Sequence, residues 1–415
     1  MELRKELFLQ AYRAALESGS VDWDSEMQPQ DWAGLFAMAA AHHVLPMIYE
    51  AVISCPAAEN TDKSVFAPYK RQVIGMVSLQ AVKTDEFLRL LSALRAAGVT
   101  PLVVKGLICR ERYPKPDYRI STDEDLLIPA QQFPLCHRAM LDFGMRLSDP
   151  AGDLSGFEIT YDKSGSPLRV ELHKQLFPPD SEAYGELNRF FTGVHERAVT
   201  ESVQGTLVPA MCPTDHLLYL ILHAYKHFLH GGFGIRQVSD IALYANARGK
   251  DIDWAYVLSS CREIHAELFT AALLRIGEKY LTFQPDKACC PGAWRAPDID
   301  ERALLEDLLD SGVFGTSSES RKHSSTMTLG AVSARKRGRK SGSLFSSLFP
   351  SAKSLSGRYP YLKTKPWLLP AAWVCRIVRY GKETAAGNPG NTALDAVKIG
   401  NQRVELLKQY GILPQ

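Results

Sequence analysis

The chain has 415 residues, 46% of them hydrophobic and 23% charged, with a net charge of +2 at pH 7. That composition excludes a disordered chain, allows two or three packed domains, and leaves no overall field selecting nucleic acid or an acidic partner. The eight cysteines include no C-x-x-C pair, and the adjacent Cys289 and Cys290 suit neither zinc chelation nor an easy disulfide, so a reducing, cytoplasmic setting is expected. "MELRKELFLQAYRAAL" interleaves charge with apolar residues, so no signal peptide is expected. No run approaches the roughly 20 apolar residues of a membrane span.

Residues 1–80 read as a helical region. Trp32, Leu35, Phe36, Ala39 and Ala40 fall at helical spacing, and His42 and His43 come at that helix's end, where cations are favoured. From residue 84 the elements alternate. "TDEFLRLLSALRAAG" predicts a helix, "TPLVV" a strand, "KGLICRERY" a bend into a helix, "TDEDLLIP" a strand and "AQQFPLCHRAMLDFG" a second amphipathic helix. "FEITYD" and "LRVELH" then predict a hairpin across "KSGSP". Residues 81–178 thus form an α/β (α+β) core with a small mixed sheet, flanked by mainly helical domains. Residues 179–315 read as helical, with "PTDHLLYLILHAYKHFLH" the best helix. Residues 316–346 carry seven Lys/Arg between Arg321 and Lys340 and no acid there, diluted by Ser and Gly, and read as a flexible segment. Its run at 335–340 is suited to an anionic partner, RNA or membrane. A C-terminal helical module occupies 347–415, in which "PWLLPAAWV" reads as buried helix.

Why do Asp123, Glu124 and Asp125 stand at the entrance of an apolar strand? Alternate strand residues share a face, so Asp123 and Asp125 point together, about 6 to 7 Å apart, and Glu124 points away. Converging carboxylates repel unless a cation joins them, and hard oxygen donors suit Mg²⁺. In "LRVELH" a third carboxylate, Glu171, leaves the polar face of a nearby strand. Two acids from one strand and one from its neighbour can hold two Mg²⁺ ions, or Mn²⁺ in their place, for phosphoryl or nucleotidyl transfer. In "VVKGLI", Lys105 and Gly106 sit where a strand turns into a helix, a place suited to a triphosphate, and Arg119 lies four residues before Asp123. His223, His227 and His230 share a helix face; with no Cys or carboxylate placed to complete a zinc sphere, they read as a polar stripe, His223 and His227 being candidate contacts to nucleotide or acceptor. Arg236 and Asp240, one turn apart, read as an ion pair within a helix, with Asp240 a further candidate for the acceptor side.

"LRAAGVTPLVVKGLICRERYPKPDYRISTDEDLLI" resembles the core of nucleotidyltransferases related to DNA polymerase β. It is most similar to a bacterial group known as uncharacterised nucleotidyltransferase family proteins. The match lies in Lys105-Gly106, Arg119, Asp123/Asp125 and Glu171-x-His173, with the resemblance extending over most of the chain. It departs from better-known members in having Lys-Gly where they have Gly-Ser, and Glu171 where Asp is common. The resemblance implies a nucleotidyltransferase fold and transfer of a nucleoside monophosphate from an NTP to an acceptor hydroxyl with release of pyrophosphate. Asp123, Asp125 and Glu171 would be the catalytic metal ligands, and Lys105, Gly106 and Arg119 would bind nucleotide, with His173 a further contact. The acceptor class, whether small molecule, sugar, lipid, protein or RNA, stays open. Two alternatives are a regulatory or scaffold protein binding nucleotide and metal without turnover, and a toxin-like tRNA-modifying nucleotidyltransferase.

Overall fold

The computed structural model describes residues 2–295, 298–312, 319–336, 352–355, 359–375 and 393–414. Seven strands form one mixed sheet: β1 (Leu102–Val104), β2 (Glu124–Leu127), β3 (Met145–Leu147), β4 (Glu158–Lys163), β5 (Arg169–His173), β6 (Val199–Val203) and β7 (Thr206–Ala210), in the spatial order β3-β4-β5-β2-β1-β7-β6. β2 lies centrally, antiparallel to β1 and parallel to β5. Both central strands β1 and β2 are buried at every residue, as expected for strands covered on both faces.

Helices α1 (Leu3–Leu16), α2 (Pro29–Ala41), α3 (Leu45–Val52), α4 (Pro56–Glu59) and α5 (Ala67–Ala96) precede the sheet. α6 (Gly106–Arg110) follows β1, and α7 (Phe133–Asp142) joins β2 to β3. After β7 come α8 (Pro213–Leu229), α9 (Ile235–Arg248), α10 (Trp254–Glu263), α11 (Glu267–Tyr280), α12 (Arg302–Ser311), α13 (Glu319–Lys336), α14 (Ala352–Leu355) and α15 (Ala393–Gln409). Buried residues from Phe8 of α1 to Leu413 beyond α15 belong to one hydrophobic cluster shared with the sheet, while Leu355 of α14 packs with Leu362 and Ala372 in a separate small one. Among the described residues no helix is long and apolar enough to cross a membrane.

Three features differ from the sequence expectation. The sheet takes β6 and β7 from beyond residue 178, where only helices were expected. Their two-residue turn is Gln204-Gly205, both at positive φ (47° and 78°), a type I′ geometry reached without the usual Asn-Gly or Asp-Gly signal. Second, residues 319–336 of the expected flexible segment are helical. Thr328 and Arg321 close the C-terminal end of α8: Thr328 Oγ1 donates to Leu229 O (2.6 Å) and Arg321 Nε to Gly231 O (2.7 Å). From α15, Arg403 Nη1 donates to His230 O (2.6 Å) and Nη2 to Phe228 O. These four carbonyls lie at a helix end, where hydrogen-bond partners must be supplied from outside the helix. Of the basic run, Lys336 pairs with Glu186 (2.6 Å) and Arg335 donates to Ile412 O, while residues 337–340 lie outside the described ones. Third, Trp367 and Val374 of the expected buried "PWLLPAAWV" helix are 73% and 60% exposed.

Candidate active site

The pairing of β2 with β5 sets Asp125 directly beside Glu171, so the two carboxylates leave the same face of neighbouring strands. Asp125 is buried and Glu171 keeps 26% of its side chain exposed. Lys105 Nζ lies 2.9 Å from Asp125 Oδ2. His173 Nε2 lies 3.2 Å from Asp125 Oδ1 and 3.8 Å from Glu171 Oε2, and its Nδ1 is 3.6 Å from Glu158 Oε2. One ligand atom from each of Asp125, Glu171 and His173 falls within 4.8 Å of the others. Asp123, half-buried just before β2, makes no hydrogen bond or ion pair among the described residues.

The charges here are unbalanced. Burial, then the carboxylates of Asp123, Asp125 and Glu158, push the Glu171 carboxyl up to about 8. Burial works the same way on Asp125, but Lys105 and His173 outweigh it and hold that carboxyl well below the usual range. Burial and neighbouring carboxylates thus act in the same direction on Glu171, disfavouring its charged form.

The β1–α6 turn that carries Lys105 is strained. Lys105 has φ 59° and ψ −101°, a region an L residue with a side chain seldom adopts. Its N–H donates to Nε2 of His216 at 3.0 Å, and its carbonyl accepts from Cys109 N at 2.8 Å. His216, on the first turn of α8, is fully buried, and burial followed by the charge of Arg112 pushes its pKa down to about 3. The imidazole therefore stays neutral and keeps the lone pair that accepts the Lys105 N–H. His216 has no signal in the local sequence, because its partner lies 111 residues away.

The opposite face of β2 explains Glu124. It is fully buried, and its Oε1 accepts from Arg110 Nη2 (2.5 Å) and Ser121 Oγ (2.8 Å). Arg110 also donates to Thr84 Oγ1 (2.9 Å), and Lys83 donates to the Ser121 carbonyl. Gly106 lies beside this carboxylate: a Cβ there would stand 2.5 Å from Glu124 Oε2. The missing side chain of Gly106, expected to admit a phosphate, makes room for Glu124.

Arg119 and Asp240 also depart from expectation. Arg119 is 1% exposed and grips Asp240 with two parallel bonds, Nε to Oδ1 (2.8 Å) and Nη2 to Oδ2 (2.6 Å), while Tyr113 Oη donates to the same Oδ1 (2.7 Å). The Arg119 guanidinium and the Asp240 carboxylate are thus buried and engaged with each other. The expected pair of Arg236 with Asp240 is replaced too, since Arg236 donates to the Ile120 carbonyl. Arg119 and Asp240 stand 121 residues apart, beyond the reach of local pattern. A cavity of about 330 Å³ lined by Tyr113, Lys115, Tyr118 and Glu50 includes none of the site carboxylates.

α8 walls the carboxylates on another side. Tyr219, His223, Lys226 and His227 share one helix face, and the charges of Lys105, Asp125 and Glu171 bear on Tyr219 and Lys226. His223 and His227 touch through their Nε2 atoms at 3.2 Å, and burial first, then nearby cations, holds both neutral. His230 instead meets Tyr184 Oη at 3.2 Å. Among the described residues this stripe brings no third ligand into a metal-holding group. Lys226, not singled out by the sequence, makes no ion pair among the described residues, and burial lowers its pKa.

Residues 28–282, more than half of the chain, match the family described as uncharacterised nucleotidyltransferase. The chain belongs to that family. No curated protein and no solved structure gives a significant match. The region shared with the uncharacterised nucleotidyltransferases spans the whole sheet and α2 to α11, and so includes every residue of the site, while α12 to α15 lie outside it.

Proposed function

We propose that the protein transfers a nucleoside monophosphate from an NTP to an acceptor hydroxyl, with Asp123, Asp125 and Glu171 holding divalent metal. The observation that carries this reading is the lateral pairing of Asp125 and Glu171, with burial and then Asp123, Asp125 and Glu158 pushing the Glu171 carboxyl up. The residues fit such an ion: Asp125 and Glu171 supply hard carboxylate oxygens from paired positions on neighbouring strands, and His173 offers a nitrogen within the same 4.8 Å group. Oxygen donors suit Mg²⁺, and the added imidazole makes Mn²⁺ a natural alternative. When bound, the metal supplies charge neutralisation and lowers the pKa of the attacking hydroxyl.

The chain's own groups do the rest. His173 Nε2 donates to Asp125 Oδ1 and holds that carboxylate in place, a bond it would give up in order to ligate an ion. The strained turn, braced by His216, sets Lys105 beside the carboxylates, where its ammonium can meet an oxygen of the polyphosphate. The wall of Tyr219, His223 and His227 narrows access for water. In the transfer, the acceptor oxygen bonds to the α-phosphorus, the bond from that phosphorus to the β-phosphate oxygen breaks, pyrophosphate leaves with the electron pair, and the hydroxyl proton passes to water. Because Arg119 is engaged by Asp240, Lys105 is the cation this reading assigns to the phosphates.

Calorimetry of each NTP with and without Mg²⁺, on wild type and the Asp123→Asn/Asp125→Asn double variant, tests this. Metal-dependent binding lost in the variant, with pyrophosphate released on supplying the acceptor, is the expected result. No binding of any NTP to folded wild type would sink it. Binding without pyrophosphate release across candidate acceptors would support the non-catalytic alternative.

A further inference from the structure

Lys105 was singled out as a phosphate ligand, yet its ammonium lies on a carboxylate. With Lys105 Nζ 2.9 Å from Oδ2 and His173 Nε2 3.2 Å from Oδ1, both oxygens of Asp125 are covered by cationic or donor groups. Asp125 is also a member of the Asp125, Glu171 and His173 group. A divalent ion on Asp125 would sit a few ångströms from that ammonium, and two cations so close in a mostly buried site repel strongly.

We propose that Lys105 is a built-in stand-in for metal: in metal-free protein its ammonium neutralises Asp125, and metal entry exchanges it off the carboxylate toward the polyphosphate. The inference rests on the metal-dependent reading above and adds to it a competition between one side chain and the ion. The anchor and the mobile part are separate. The Lys105 backbone is held by His216 and by the Cys109 N–H, while the ammonium sits at the end of a four-carbon stem whose side chain retains 18% exposure. Four carboxylates, Asp123, Asp125, Glu158 and Glu171, surround the position, so the exchange raises the total positive charge of the site instead of merely replacing it. The released ammonium also fills the place Arg119 does not take, since that guanidinium is locked on Asp240. Metal and nucleotide binding are thereby linked: the ion frees the charge that the phosphates need.

The test uses the full chain and two ligands that need no knowledge of the base or acceptor. Mn²⁺ binding alone is followed by the electron paramagnetic resonance of the free ion, and binding of pyrophosphate in excess Mg²⁺ by calorimetry. Lys105→Met should bind Mn²⁺ about tenfold or more tighter than wild type, yet bind Mg²⁺-pyrophosphate about tenfold or more weaker. Lys105→Arg, whose guanidinium grips carboxylates more firmly, should bind Mn²⁺ more weakly than wild type, which gives a second readout of opposite sign if the Met variant folds poorly. Unchanged or weaker Mn²⁺ binding by folded Lys105→Met, or unchanged binding by Lys105→Arg, overturns the exchange. Asp125→Asn separates the two levels. If wild type shows no Mn²⁺ binding that Asp125→Asn abolishes, the metal-dependent reading itself falls. If it does, and the Lys105 variants leave it unaltered, the exchange alone falls.

Discussion

Replacing Gly106 with alanine distinguishes two reasons for a glycine at the β1–α6 turn. A Cβ there would stand 2.5 Å from Glu124 Oε2, about 0.9 Å inside the 3.4 Å at which ordinary contact begins. The far end of a free glutamate would yield cheaply, but this one is fully buried, with Oε1 fixed by Arg110 and Ser121. Overpacking costs about 1 to 3 kcal/mol. Displacing a hydrogen bond to a charged group adds about 1.5 to 3 kcal/mol. The better helix propensity of alanine returns about 1 kcal/mol. Net destabilisation should therefore be about 1.5 to 5 kcal/mol, read as a lower urea midpoint at unchanged slope. Glu124→Asp, one methylene shorter, should relieve part of that penalty, so the double variant should be more stable than additivity gives by about 1 kcal/mol. A Gly106→Ala protein within about 0.5 kcal/mol of wild type, but unable to bind Mg²⁺-pyrophosphate, would refute this account and restore the glycine to a ligand.

Three further outcomes follow from other parts of the structure. Arg119→Met leaves Asp240 buried without its partner, and should cost about 3 to 5 kcal/mol in denaturant titrations; an equal midpoint with lost nucleotide binding would instead make Arg119 a ligand. His42 is buried, its Nε2–H donating to Leu309 O (3.1 Å) and its Nδ1 accepting from Ile235 N (3.4 Å), and burial pushes its pKa from 6.5 down to about 4. The unfolded chain therefore takes up this proton first, and stability should fall as pH drops from about 6.5 to 4, by about 3 kcal/mol from this residue; His42→Gln should flatten that slope, and an unchanged slope in urea midpoints at pH 7, 5.5 and 4.5 would refute the assignment. Arg403→Met should speed amide exchange in α15 and the last turn of α8 together, whereas a change confined to α15 would remove the coupling between them.

Period-2 alternation was enough to separate Asp125 from Glu124 across β2, and the polar face of "LRVELH" gave Glu171 and His173. Those inferences need only strand geometry and one correct neighbour, and the register of β2 on β5 supplies it. Lys105 was legible as a residue at a strand-to-helix turn, but its positive φ and its brace, His216, were not. Arg119 misled because proximity in sequence to an acidic pair says nothing of Asp240, which arrives from α9 and is the stronger bidentate partner. Gly106 was read for what could approach it from outside, whereas Glu124 approaches it from within. The Gln204-Gly205 hairpin escaped because its turn lacks the common residue pair, and α13 escaped because Thr328 and Arg321, which close a distant helix end, sit among serines and basic residues with the composition of a solvated loop.

That closure has a practical meaning for where the protein can be divided. The family region stops at residue 282, yet the carbonyls of Phe228, Leu229, His230 and Gly231 inside it are satisfied by Arg321, Thr328 and Arg403 beyond it. A fragment cut at the family's edge would carry a helix with an open end directly behind His223 and His227, and would bare the apolar surface that α12 and α15 cover. The boundary drawn by sequence kinship and the boundary of cooperative folding are different lines in this chain, and domain-swapping or expression designs need to follow the second.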